Sequence, residues 1–201
     1  MTTGMMKNRL CLLILVLFSV SVQCFAAVTD KATEGKADLK LLLESFSQKK
    51  YSKIDFLESK SSSLLVNDIE LKGEMLFQHP DYLLKIVRQP HQERFELKNG
   101  VVTYQRGEGE ERMLAVGDYP VLNAFVIGYT AVLDGDFERL QEHYRIEYDY
   151  RDYAWRLSLY PRLDEMREHV TKLEFLGSAD VIRSILVYEA SGDISTTNFL
   201  H

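Results

Sequence analysis

The stretch "GEMLFQHPDYLLKIVRQPHQERFELKNGVVTYQ", residues 73–105, holds two short apolar runs, two X-Pro breaks and an Asn-Gly turn. No catalytic residue stands out among them. With the residues just before it, "IELKGEMLF" places Leu71, Gly73, Met75 and Phe77 on one face opposite Lys72 and Glu74, the period of a half-buried strand. His79-Pro80-Asp81 interrupts that strand, because Pro80 disfavours continued regular structure and Asp81 is a turn former. "YLLKIVR" resumes as a strand with apolar residues on both faces, which predicts cover on each side and leaves open which face is concave. "QERFELKNGVVTYQR" is a hairpin, since Asn99-Gly100 can take the positive φ values of a two-residue turn. Strands joined by short turns make an antiparallel meander.

The pattern extends outward in both directions. Upstream, Ile54, Phe56 and Glu58 alternate with Asp55 and Leu57 in another strand, joined to the next by a turn at Asn67 and Asp68. Earlier still, Leu39, Leu42, Leu43 and Phe46 recur at helical spacing and predict an amphipathic helix over about 36–48. Downstream, "EERMLAV" adds a strand. "YPVLNAFVIGYTAVLDG", residues 119–135, then changes the character of the chain: it is almost uncharged, and Pro120 sits where a first helical turn accepts proline. A helix apolar all round is either buried or covers something apolar. "DFERLQEHY" continues as a shorter, wetter helix started by Asp136.

Strands return in "YRIEYDYRDYAWRLSLYPR", a hairpin around Arg151 to Tyr153 with Trp155, Leu157 and Leu159 facing one way and Arg156 and Ser158 the other. "LDEMREHV" is a helical turn or loop insert, and "KLEFLG", "VIRSILVYEAS" and "ISTTNFL" complete the sheet. Roughly ten strands and three helices in a few blocks make an α+β arrangement. A strongly twisted antiparallel sheet of that many strands curls, and a curled sheet with an apolar concave face needs a lid. The helix from Tyr119 to Leu133 is the candidate. Tight packing there would give a plain core, and a gap would give an apolar cavity able to hold acyl chains.

The first 26 residues have the layout of a secretory signal peptide: Lys7 and Arg9, an apolar run from Leu10 to Val20, then small residues up to Ala27. Cleavage after Ala26 would leave residues 27–201 as one secreted domain. It would remove Cys11 and Cys24, so that no disulfide staples the product. Acylation of Cys24 would instead anchor the protein, but Gln23 and Ser21 fit poorly with such a site. The cut takes two bases and no acid from a formal charge of −6, leaving −8. That balance argues against nucleic acid as a partner and against permanent attachment to an anionic membrane.

Enzyme motifs are missing. Glu165, Glu168 and His169 do not form H-E-x-x-H, and His79, His91, His143, His169 and His201 make no ligand cluster in the sequence. No G-x-S-x-G elbow or P-loop occurs, and acid pairs such as Asp134 and Asp136 fit a solvated face. The expectation is a binding protein with no catalytic residue, no cofactor and no metal.

Several motifs resemble those of one family. Phe56-x-Glu58-x-Lys60 resembles the F-x-Q-x-K strand of LolA-like lipoprotein carriers. "GEMLFQHPDYLLKIVRQP" resembles their G-x-L-x-x-x-x-P…P strand pair, and "LKNGVVTYQ" their x-x-D-G-x-x-x-x-Y hairpin. The order of helix, strands, mid-chain helical block and later hairpins extends the likeness over most of 36–190. The resemblance implies a monomeric half barrel, an unclosed β-barrel covered by helices, in the periplasm of a Gram-negative cell. Such a carrier would take an acylated cargo (a lipid, glycolipid or lipoprotein) from an inner-membrane export complex to an outer-membrane acceptor. His79 stands where the family has an arginine tied to lid closure, which draws the expected cargo away from lipoprotein alone.

On this reading the strand residues Phe56, Met75, Phe77, Phe95, Tyr104, Trp155 and Leu157 line a lipid cavity, with Phe125 and Tyr129 of the lid above them. The alternative for each is an ordinary packed core. Alignment with the family adds Leu83 and Val87, and turns Lys85 inward with them. His79 and Arg88 flank the same strand, where they either meet a headgroup at the cavity mouth or end the strand in solvent. A receptor or assembly factor resembling the LolB branch, with no shuttling role, is the competing function.

Overall fold

Period-two patterning becomes a single sheet of eleven antiparallel strands in the order β6-β5-β4-β3-β2-β1-β11-β10-β9-β8-β7. The computed structural model describes residues 38–62 and 68–201. Residues 39–201 form one compact unit, which holds the sheet and its cavities. The expected signal peptide, Cys24 and Asn67 of the expected turn lie outside the described residues.

A first helix, α1, spans residues 38–47. Six strands then step outward as a meander: β1 Tyr51–Ser61, β2 Ile69–Gln78, β3 Tyr82–Gln89, β4 Glu93–Lys98, β5 Val101–Arg106 and β6 Arg112–Ala115. Asn99 and Gly100 join β4 to β5 with φ of 52° and 72°, the positive pair that a tight hairpin turn requires. A 3-10 turn, Val116–Asp118, leads into helices α2 Pro120–Asp134 and α3 Phe137–His143. Asp136 caps α3 by accepting from the Arg139 N–H at 3.0 Å.

The chain re-enters the sheet at its opposite edge. β7 Tyr144–Arg151, β8 Ala154–Pro161, β9 Val170–Ser178, β10 Val181–Glu189 and β11 Ile194–Leu200 run back toward β1, with the single-turn helix α4 Asp164–Arg167 between β8 and β9. β11 pairs with β1 from Asp55↔Leu200 to Ser61↔Ile194, which welds the two meanders together. Among the described residues β6 and β7 are the two edges and do not pair with each other, so the sheet does not close into a barrel. The α+β half barrel is as expected, with eleven strands rather than about ten. The fourth helix is the segment that the sequence left as a helical turn or loop insert.

The helices fill one half of the concave face. Leu39, Leu42, Leu43 and Phe46 of α1, Ala124, Ile127 and Ala131 of α2, and Trp155, Leu157, Leu159, Leu173 and Phe175 of β8 and β9 bury together. α2 approaches closely because residue 128 is glycine: a Cβ there would stand 2.6 Å from both the Leu173 side chain and the Tyr144 hydroxyl. That hydroxyl donates to the Ala124 carbonyl at 2.7 Å, so the buried phenol is satisfied. The other half is thinly filled, with Phe56, Met75 and Val87 forming a small cluster edged by Leu71, Leu83 and Phe199.

Leu157→Ala should therefore lower stability by about 2–5 kcal/mol, through lost contacts and the void left behind. Tyr153→Ala, at a β7–β8 turn position 82% exposed, should stay within about 0.5 kcal/mol of the parent. Urea unfolding of both variants checks this, and equal losses would contradict the division between core and surface.

Candidate functional site

The uneven filling leaves a cavity of about 440 Å³ between α2 and the thinly covered half of the sheet. Its roof is a stripe of α2: Leu122, Phe125, Val126 and Tyr129 follow one another at the i, i+3, i+4, i+7 spacing of a single helix face. The opposite face of the same helix carries Ala124, Ile127 and Ala131 into the core. Both faces of α2 are thus spoken for, which is why the helix is apolar all round.

The walls are aliphatic and aromatic. Leu83, Phe95, Leu97 and Val102 come from β3, β4 and β5, while Val170, Ile185 and Val187 come from β9 and β10. The floor is polar. At the β1–β11 seam Glu58 stands opposite Thr197 and Lys60 opposite Ser195, and all four line the cavity together with Lys85 of β3. β3 therefore turns Leu83, Lys85 and Val87 inward, which decides the face that its own sequence left open.

Glu58 is the focus of this floor, with 3% of its side chain exposed. It ion-pairs with Lys85, accepts from the Thr197 hydroxyl at 2.8 Å and faces the Lys60 ammonium at 3.6 Å. Burial alone would raise its pKa; the nearby Lys85 charge and these hydrogen bonds outweigh burial and hold the carboxyl below its ordinary range. The Lys85 ammonium also lies 5.1 Å from the centre of the Phe56 ring.

The other expected residues separate by place. Met75, Leu83, Phe95, Phe125 and Tyr129 line the cavity. Phe77 lines a second cavity of about 300 Å³, which Met75 also borders, between α1 and the seam strands. Phe56 and Val87 are fully buried in a small cluster with Met75 and do not line the cavity. Tyr104 packs its ring 4.5 Å from that of Phe95 without reaching the cavity, and Trp155 and Leu157 belong to the packed half. Arg88 reaches Glu74 at 2.6 Å on the convex side.

His79 lies outside both cavities and ties the β2–β3 turn to the lid. Its Nδ1 is 2.7 Å from the Asp134 carboxylate at the end of α2, and Arg139 of α3 meets Asp81 of the same turn at 3.2 Å. Burial raises the Asp134 pKa, with His79 pulling the other way. The polar floor was partly visible beforehand: Ile54, Phe56, Glu58 and Lys60 alternate onto one face, so a carboxylate and an ammonium had to follow a core phenylalanine inward. Thr197 and Ser195 gave no such signal, because the facing strand lies at the other end of the chain.

Lys85→Met should destabilise the protein by about 2–4 kcal/mol by stranding the Glu58 charge, and adding Glu58→Gln should recover most of that loss. The Glu58 contribution is present above its ordinary pKa of 4.5 and is lost as pH falls through the lower folded value. Parent stability should thus drop more steeply below pH 4.5 than that of Glu58→Gln. Chemical denaturation at a series of pH values measures both effects, and parallel curves would remove Glu58 from the account.

Among the described residues no helix is long and apolar enough to cross a membrane, and no group of side chains is arranged to hold a metal ion. No curated protein matches the sequence. Solved structures resemble the chain at low identity. A LolA superfamily protein from Nitrosomonas europaea has a TM-score of 0.42 at 10% identity, covering 80% of this chain and 90% of that one. A DUF1329 family protein from Desulfovibrio piger gives 0.45 at 10%, covering 83% and 91%. The MucA/MucB complex of Pseudomonas aeruginosa gives 0.44 at 11%, covering 81% of this chain and 55% of that one. The family described as outer membrane lipoprotein carrier protein LolA-like matches residues 31–200. With that span matched, the chain belongs to the LolA-like family.

Proposed function

We propose that the protein is a periplasmic carrier that shields the acyl chains of a lipid, glycolipid or lipoprotein in the α2-roofed cavity and moves them from the inner to the outer membrane. The observation that carries this reading is the roof. A helix whose second apolar stripe faces open space, with an aliphatic wall opposite, is built to accept apolar atoms that the described residues do not supply.

Energetics favour the same reading. Keeping an acyl chain out of water is worth about 0.8 kcal/mol per CH₂, or roughly 11 kcal/mol for about 14 carbons, so a carrier must cover nearly all of it. Release must be equally easy. Apolar contacts suit this because they are non-directional, and the protein then offers a chain nearly what a bilayer offers. Entry and exit would move α2, whose end is tied to the β2–β3 turn through His79–Asp134 and Asp81–Arg139. No bond is made or broken in such a cycle. The leader at residues 1–26 would deliver the protein to the periplasm, where an inner-membrane export complex supplies cargo and an outer-membrane acceptor takes it.

Native mass spectrometry of protein purified from its own periplasm, followed by organic extraction, tests the proposal. A co-purifying acylated species is expected, and Phe125→Glu, which puts a charge into the roof, should abolish it in a still folded protein. A clean apo mass together with no lipid uptake from vesicles would overturn the carrier reading.

A further inference from the structure

The floor has more hydrogen-bonding capacity than the protein uses, and nearly all of the surplus is of one kind. Glu58, the acceptor, is taken by Lys85, Thr197 and Lys60. The donors are not exhausted. Among the described residues Lys60 makes only the 3.6 Å contact to Glu58, and half of its side chain is exposed. Lys85 carries three N–H groups and commits itself to one carboxylate. Among the described residues, the Tyr129 hydroxyl in the roof and the Ser195 hydroxyl in the floor, both lining the cavity, have no hydrogen-bond partner. Burial pushes the Tyr129 phenol well above its usual range, so it remains a proton donor.

Charge points the same way. Two ammonium groups against one carboxylate leave the floor with a net positive charge. Of the other carboxylates on the lining, Glu96 is engaged by Tyr82 at 2.8 Å and by Arg94, and Glu189 stands exposed to solvent at the end of β10, which leaves Glu58 as the buried acceptor among the floor's donors. A region of unspent donors and positive charge at one side of an apolar space is complementary to one kind of molecule.

We propose that the cavity selects an acylated ligand with an anionic head, whose oxygens accept from Lys60, Lys85, Tyr129 and Ser195 while its chain lies between the aliphatic wall and the α2 stripe. This inference rests on the carrier reading and adds a headgroup to it. The shared chemistry is an oxyanion, either a carboxylate or a phosphate. Charge-assisted hydrogen bonds to such an oxyanion are the strong ones, and inside an apolar cavity they meet little competition from water.

The test is calorimetric titration of the full-length folded protein with four probes of one chain length: myristic acid, 1-myristoyl lysophosphatidic acid, methyl myristate and myristylamine. Both anions should bind roughly tenfold or more tightly than the neutral ester. Lys60→Met, which keeps the stem and removes the charge, should bring anion and ester to within about threefold. Tyr129→Phe should narrow the gap by a smaller step, and supplies the test if Lys60→Met proves misfolded by circular dichroism. The phosphate outbinding the carboxylate would identify a phospholipid-type head, and the reverse a fatty-acid type. Equal binding of acid and ester, or preference for the amine, would overturn the headgroup inference and leave the carrier standing. Failure of all four probes to bind would overturn both.

Discussion

Pairing of β1 with β11 is the constraint on which the rest depends. Two meanders grow from opposite ends of the described chain, and only the Asp55–Ser61 to Ile194–Leu200 ladder makes them one sheet. The hydrogen bond from Thr197 to Glu58 across this seam spans 139 residues of sequence. Contacts of such separation are slow to form, because the loop entropy is lost before any of them is rewarded. The same ladder creates the site, since it sets Glu58 against Thr197 and Lys60 against Ser195 on the concave face. Without the seam there would be two curled hairpin sheets and no floor.

The helices then treat the two meanders unequally. α1 and α2 press on β8 and β9 until the interior is close-packed, helped by the absence of a side chain at Gly128. Over β2 to β5 the same α2 stands away from the sheet and presents Leu122, Phe125, Val126 and Tyr129 to open space. Filling both halves would have required larger side chains on that stripe or a second layer of helix. Stability therefore resides mainly in the C-terminal meander and adaptability in the N-terminal one. The proposed carrier role needs this division, because a site that accepts and releases chains cannot itself be the packed core.

Much of this was legible in the residues. Strand alternation, the Asn99-Gly100 turn and the amphipathic first helix rest on local chemistry, and local chemistry is what a sequence displays. The uncharged helix from Pro120 also announced itself, because no solvated helix tolerates that composition. What escaped was the choice between wall and core. Phe95 and Trp155 occupy equivalent inward positions on their strands, yet one borders the cavity and the other is sealed by Phe46 of α1, their ring centres 5.8 Å apart. Strand periodicity gives direction and says nothing of what stands opposite. Likewise the Asp134 partner of His79 depends on where α2 ends, a fact of tertiary placement.

The buried ion pair on the floor completes the physical picture. Glu58 and Lys85 give up hydration to meet, and such pairs often contribute no more stability than well-packed apolar residues of the same volume. Stability alone is then a poor reason for a carboxylate in the midst of Phe56, Met75 and Leu83. Its local effect is specific: it holds the Lys85 ammonium at the edge of the apolar space, where an unpaired lysine would stretch away toward water. Glu58 thereby acts on the neighbouring cation more than on the fold, and a cation fixed beside an apolar wall, with free hydroxyls on two sides, is a polar anchor for a molecule that is otherwise grease.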